Sequence, residues 1–239
     1  MRLLKILLPI TVLLILKAHA QKAPLKKDFN AEKVDTSLMA YASNGAPLHY
    51  ATYFPLLWQG EHYLETIKGK SYLKKYPDSI LSTIHLYRNR LDSASRLNNI
   101  NHRLSRADKV LVIKSTRRLY IQRGGKTMFE FPINLGKNPV GHKVSLNDGR
   151  TPEGEYSLDF KMWTAQYYKN FHISYPDSAA IAAAKKNKTA PGGDVMIHGT
   201  SAQRTGRKDW TNGCIALTNA QIDTLFKYVP IGTLIEIKK

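Results

Sequence analysis

Cys214 is the single cysteine of this 239-residue chain, and it stands in the segment DWTNGCIALTN, residues 209–219. A thiol becomes a useful nucleophile when a base takes its proton and a third group aims that base. Of the eight histidines, His198 fits that part: it closes the apolar run Val195-Met196-Ile197 and is followed at once by Gly199. A strand end holds an imidazole firmly while turning it toward a loop. Cys214 comes sixteen residues later, after the polar loop TSAQRTGRKDWTN, which is long enough to fold back on the histidine. Gly213 lets the backbone turn sharply and can leave amide N–H groups aimed at a developing oxyanion, an interaction of about 3 kcal/mol per donor. The competing reading of the same thiol is a small buried hydrophobe that opens the strand CIAL.

The N-terminus bears on that choice. MRLLKILLPITVLLILKAHAQ has a basic start in Arg2 and Lys5, an apolar run from Ile6 to Leu16, and Ala18-His19-Ala20 as a cleavage site. This is the layout of a secretory signal peptide over residues 1–20, and the run falls short of the roughly 20 residues of a membrane span. An uncleaved leader is the one route to membrane association. No cysteine follows the run, which excludes a lipoprotein anchor. The expected location is the periplasm or cell envelope. An unpaired thiol there points to a reactive group or an intermolecular bridge rather than an idle side chain.

Lys and Arg total 36 against 18 Asp and Glu, a formal charge of +18, or +15 without Arg2, Lys5 and Lys17 of the leader. Outside the cytoplasm such a balance suits anionic envelope polymers, acidic peptides or lipid head groups rather than nucleic acid. No His/Cys/Asp/Glu spacing argues for a metal, and no cofactor is expected.

The elements that must position the pair divide the chain at about residue 108. Residues 21–45 read as a polar linker and residues 46–108 as a helical region without a nucleophile–base pair, a structural cap on the C-terminal part. In PDSILSTIHLYRNRLDSASRL, Asp78 is a candidate N-cap, and Ile80, Ile84, Tyr87, Leu91 and Ala94 recur at helical spacing. From Lys109 the texture alternates: KVLVIKSTRRLYIQRGGKTMFEFPINLG reads as two antiparallel strands around Gly124-Gly125. GRTPEGEYSL supplies a turn and a short strand, GGDVMIHG a buried strand, and AAIAAAKKNK an exposed helix or loop end. TNAQIDTLFKYV reads as a late helix capped at Thr218 or Asn219 and ended by Pro230, with GTLIEIKK as the last strand. Residues 109–239 thus read as a mostly β domain, a sandwich or small barrel with a late helix, and the whole chain as α+β.

With these segments in order, the chain resembles the L,D-transpeptidase (YkuD-like) catalytic domain family. IHG, a spacer and TNGCIAL stand where that family has a histidine, a spacer of similar length and Ser/Thr-His-Gly-Cys. NPVGHK, DGRTPEGEY, FHISYP, PGGDVMIHG and DWTNGCIALTN are closest to its YafK-like branch, over about residues 109–237. The resemblance implies Cys214 as nucleophile, His198 as base, the Gly199 carbonyl as the group orienting the imidazole, and backbone amides at Asn212, Gly213 and Cys214 as oxyanion donors. It implies peptidoglycan stem peptides as substrate and an amine, a protein lysine of an envelope lipoprotein, or water as acceptor. The chain departs from the family at Asn212, where most members have histidine; asparagine donates a hydrogen bond but does not titrate.

Around this pair, Arg150 and Lys143 are candidates for gripping stem carboxylates. His172 is a candidate cleft residue, Thr211 a candidate substrate contact, and Trp210 a prop for the nucleophile loop. Trp163, Tyr167 and Tyr168 read as a lid or as core. A sortase-type enzyme needs an arginine after its cysteine, and none follows Cys214; papain-like peptidases place cysteine before histidine, and here every histidine precedes it. A hydrolase of the same family and a non-enzymatic basic envelope-binding module are the remaining alternatives.

Overall fold

A computed structural model describes residues 36–204 and 206–239. The leader and most of the linker, residues 1–35, lie outside the described residues. Among those described, no helix is long and apolar enough to cross a membrane.

In the large sheet, β5 (Lys109–Ile113) buries Val110 and Val112, β6 (Arg118–Arg123) buries Leu119 and Ile121, and β7 (Lys126–Pro132) buries Phe129 and Phe131. Each such side chain contributes about 1.5–3 kcal/mol by leaving water. The strands alternate cleanly in β5 and β6, while β7 buries the adjacent Met128 and Phe129 opposite an irregularity at Ile121/Gln122. β8 (Gly154–Ala165), β9 (Tyr168–Ile173), β10 (Met196–His198), β11 (Ile215–Ala216) and β12 (Leu234–Lys238) complete it, in the order β11-β10-β9-β8-β12-β5-β6-β7. The chain beyond β7 returns to the opposite edge: Asn134 bridges Ala216 and Gly136 bridges Thr211, so the sheet closes on itself. Three strands stand where the spacing predicts two, because Lys114 to Arg117 forms a tight turn with Arg117 at φ 52°.

Two further helices flank this sheet. α4 (Ser178–Lys186) occupies the alanine-rich run. α5 (Asn219–Tyr228) is the late helix; Thr218 caps it in a reciprocal box with Gln221, and Ile222, Leu225 and Phe226 close the core.

The N-terminal part carries helices α1 (Tyr50–Gln59), α2 (Asp78–Asn89) and α3 (Ser93–Leu104). It also carries a small sheet not anticipated from the sequence: β1 (Ala40–Tyr41), β2 (Pro47–Leu48), β3 (His62–Ile67) and β4 (Lys70–Lys75), in the order β2-β1-β4-β3. The turn at Lys68-Gly69, both at positive φ, sets the β3–β4 hairpin, and β1 begins inside the stretch read as linker. Pro77 rather than Asp78 takes the N-cap of α2, and the stripe stays outside the core: Ile80 and Tyr87 are 41% and 64% exposed. The helical period breaks at Arg90, and Asp92 caps α3 by accepting from the Ser95 N–H at 2.6 Å.

The two parts meet at a glycine seam. The Gly69 N–H donates to the Gly232 carbonyl at 3.2 Å, and a side chain at Gly232 would collide with the Thr66 carbonyl.

Candidate active site

β10 and β11 run parallel, with Ile197 level with Ile215 and His198 level with Ala216. Ile197 and Ile215 are fully buried in the core, so alternation puts His198 on the other face. Cys214, one residue before Ile215, shares that face two positions behind His198's partner. Strand spacing and rise place the two Cα atoms about 8 Å apart, a diagonal that side chains bridge.

His198 is 5% exposed, and its Nδ1 lies 2.6 Å from the Gly199 carbonyl oxygen. That bond puts the proton on Nδ1 and leaves Nε2 as the acceptor. A side chain at Gly199 would press on Asn219 and on the Tyr167 carbonyl. Burial pushes the His198 pKa below its ordinary value; the Gly199 carbonyl opposes this and the Arg204 guanidinium adds to it. The imidazole is therefore neutral at neutral pH. Its ring stacks on Tyr167 at 5.0 Å and meets Trp210 edge-on at 5.5 Å, while the Arg204 guanidinium lies 4.7 Å over the Trp210 ring.

Half-buried Cys214 directs its thiol at the Asp194 carbonyl oxygen, 3.6 Å away. Burial pushes this thiol up; the Met196 N–H and the Lys143 ammonium pull it down, and the Asp194 carboxylate pushes it further up. Both directions favour a neutral thiol and a neutral imidazole at rest.

The loop before the thiol is strongly braced. Arg117 grips Asp209 through Nε and Nη2 at 3.2 and 2.8 Å, and the Leu135 N–H donates to the same carboxylate. Trp210 is buried, and its indole N–H has no partner among the described residues. The Thr211 hydroxyl donates to the Cys214 carbonyl at 2.7 Å and accepts from the Gly213 N–H at 3.1 Å. The Gly213 amide is therefore engaged at rest. Gly213 sits at φ 134°, and a side chain there would begin 2.5 Å from the Arg150 carbonyl and 3.5 Å from Lys143 Nζ. Asn212 is exposed.

Lys143 is 3% exposed and pairs with Asp148 at 2.9 Å. Burial alone would raise the Asp148 pKa; Lys143 and the N–H groups of Val144, Arg150 and Ser145 outweigh it and hold the carboxyl at about 2. The structure brings Lys143 to the nucleophile turn, whereas the Arg150 guanidinium rests near Gly141. His172 is level with Met196, two strands across the sheet from Cys214, stacked on Phe160 and bonded to Asp159 at 2.7 Å. Trp163 packs edge-on against Phe226, and Tyr168 bonds Asp223.

Two neighbours escaped the sequence reading. Asn170 is level with His198 on β9, 4% exposed, with its Oδ1 lacking a partner among the described residues. Arg204 caps the aromatic pair over His198. No spacing rule exposes either, because strand pairing and loop folding bring them there. Among the described residues, no group of three or more His, Cys, Asp or Glu could hold a metal ion.

A buried imidazole fixed by a carbonyl and a half-buried thiol thus lie on neighbouring strands of one sheet. Residues 107–237 match the L,D-transpeptidase catalytic domain family (YkuD), and the chain belongs to it. It is 31% identical over 132 residues to YqjB of Bacillus subtilis (strain 168), a protein bearing an L,D-transpeptidase name, covering 54% of this chain and 69% of that one. It is 28% identical over 115 residues to the similarly named YafK of Escherichia coli (strain K12), covering 46% and 42%. Among solved structures, the helical cell shape determining protein Pgp2 of Campylobacter jejuni is 26% identical, with a TM-score of 0.44 over 55% of this chain and 48% of that chain. The chain thus spans less than half of YafK and of Pgp2.

Proposed function

We propose that the protein is an exported, cysteine-dependent peptidoglycan L,D-transpeptidase that acts on stem peptides through a thioester on Cys214. The observation that supports this best is His198, pinned by the Gly199 carbonyl and one strand away from the thiol. Nε2 of His198 takes the thiol proton as sulfur attacks the carbonyl of the L-centre that precedes the terminal D-residue. The oxyanion is met by backbone amides of residues 212–214, among which the Gly213 N–H must first leave Thr211. The C–N bond breaks, the leaving amine takes the proton from His198, and a thioester remains. An acceptor amine attacks the thioester and loses a proton to His198; the C–S bond breaks, and the departing sulfur takes that proton to restore the thiol. Water at that step gives hydrolysis instead, and Asn212, which donates a hydrogen bond but does not titrate, leaves the proton transfers of either outcome to His198. Lys143, beside the Gly213 turn, supports the negative charge or a stem carboxylate.

Two measurements test the proposal. Intact mass after incubation with a carbapenem should show one covalent adduct, absent in Cys214→Ala; folded protein left unmodified points to a non-enzymatic binding module. Purified peptidoglycan should yield new cross-linked dimers, whereas loss of cross-links or release of lipoprotein peptides assigns hydrolysis.

A further inference from the structure

A cavity of about 560 Å³ lies between the N-terminal sheet and the β6–β7 hairpin, far from the thiol. Ligand sites commonly have this size, about 300–1,000 Å³, and this placement between structural parts. Lys70, Arg103, Arg106 and Lys126 surround it, and among the described residues none of the four forms an ion pair. Asp108, the acidic residue in the lining, accepts from the Gly124 N–H at 2.6 Å and is outnumbered by the cations around it. The wall carries half-buried Tyr41, Tyr63 and Tyr76, with the last two rings 4.6 Å apart. Tyrosines offer flat apolar faces with a polar tip, suited to sugar rings; arginines grip carboxylates.

We propose that this cleft is a second binding site, for a carboxylate-bearing glycopeptide strand of the wall. The identity of that polymer rests on the proposed activity. Lys126 opens β7, and ten residues later Gly136 lies against the Gly213 N–H. At about 3.3 Å per residue that segment spans at most about 33 Å, which bounds the separation of cleft and thiol. An extended polymer covers such a span. The cleft therefore retains the polymer while Cys214 works on its stems. The family match begins at residue 107, so most of this site lies on sequence outside it.

The test compares Lys70→Glu/Arg103→Glu/Arg106→Glu with a control reversing equal charge elsewhere, Lys185→Glu/Lys186→Glu/Lys188→Glu, at exposed positions in and just after α4. Both sets are placed in Cys214→Ala for co-sedimentation with phosphate-free peptidoglycan sacculi, and in the active chain for turnover. The cleft variant should lose about tenfold in sedimentation and in sacculus turnover, while turnover of a soluble stem tetrapeptide stays within about twofold. The control should retain sedimentation. Equal losses in both sets, unchanged sedimentation in the cleft variant, or binding only to a phosphodiester polymer overturns the proposal. If the triple variant also loses soluble turnover, Arg103→Glu and Arg106→Glu are read singly, each with about a threefold loss in sedimentation expected and no loss overturning the assignment. A wild-type chain inactive on the tetrapeptide would sink the catalytic reading alone, because sedimentation needs no chemistry.

Discussion

At the scale of single residues, the site is a neutral pair flanked by one buried cation. Lys143→Met removes the ammonium that draws the Cys214 thiol down. The pH profile of iodoacetamide alkylation should shift upward by about one unit, and kcat/KM should fall about 10- to 100-fold. Because Asp148 then loses its buried partner, stability should drop by about 3 kcal/mol. Adding Asp148→Asn should recover part of that stability without restoring alkylation, which separates charge from folding. His198 gives a second readout. Its depressed pKa keeps the imidazole base-competent below the ordinary value, so the acid limb of kcat/KM should have its midpoint under about 6.5. The unfolded chain takes up that proton first, so the fold loses stability as pH falls from about 6.5 through the lower folded value. Cys214 and His198 were legible in the sequence as candidates, because residue type alone limits what a thiol and an imidazole at a strand end can do. Asn170 was not, since its place beside His198 is a matter of strand register between β9 and β10. The engaged Gly213 amide was hidden for a similar reason, because its partner hydroxyl on Thr211 turns inward only in the folded loop.

At the scale of elements, the loop that carries the thiol depends on Asp209. This carboxylate joins Arg117 at the β5–β6 turn to the Leu135 amide after β7, and it is largely buried. Asp209→Ala leaves the Leu135 amide without its acceptor and the Arg117 guanidinium without its carboxylate, with the Lys114 and Ser115 carbonyls still on Nη1. Chemical denaturation should show a loss of about 3 kcal/mol, and kcat should fall more than KM rises, because the nucleophile is displaced rather than the substrate contacts. The strands of the catalytic part announced themselves by period-two burial, as in Val110 and Val112, and α5 by its capping residues. The small sheet did not. β3 and β4 carry Tyr63 and Tyr72 among lysines and half-buried positions, so neither strand shows a clean buried face. In α2 the apolar spacing was real, but the stripe found no large partner, which periodicity does not report.

At the scale of the whole molecule, the N-terminal part and the catalytic part are joined where the β3–β4 turn meets the loop before β12. Gly232 at φ 85° is the tightest point of that contact. Gly232→Val should undock the two parts: cleavage by a protease within residues 60–76 should accelerate about tenfold, and carbapenem acylation of Cys214 should persist. Loss of both together would mean that the parts form one inseparable folding unit.

The closed seam has one more consequence. Four backbone hydrogen bonds, linking Asn134 with Ala216 in both directions, Leu135 with Thr211 and Lys137 with Thr211, stitch the shut sheet on either side of the thiol. The thiol is mounted on an anvil, and on the proposed chemistry the carbonyl has to come to it. Amide hydrogen exchange at Asn134, Thr211 and Ala216 should proceed only through global opening, and acylation should leave those rates unchanged while slowing exchange around Tyr167. Slowing at the stitches themselves would mean that the anvil breathes.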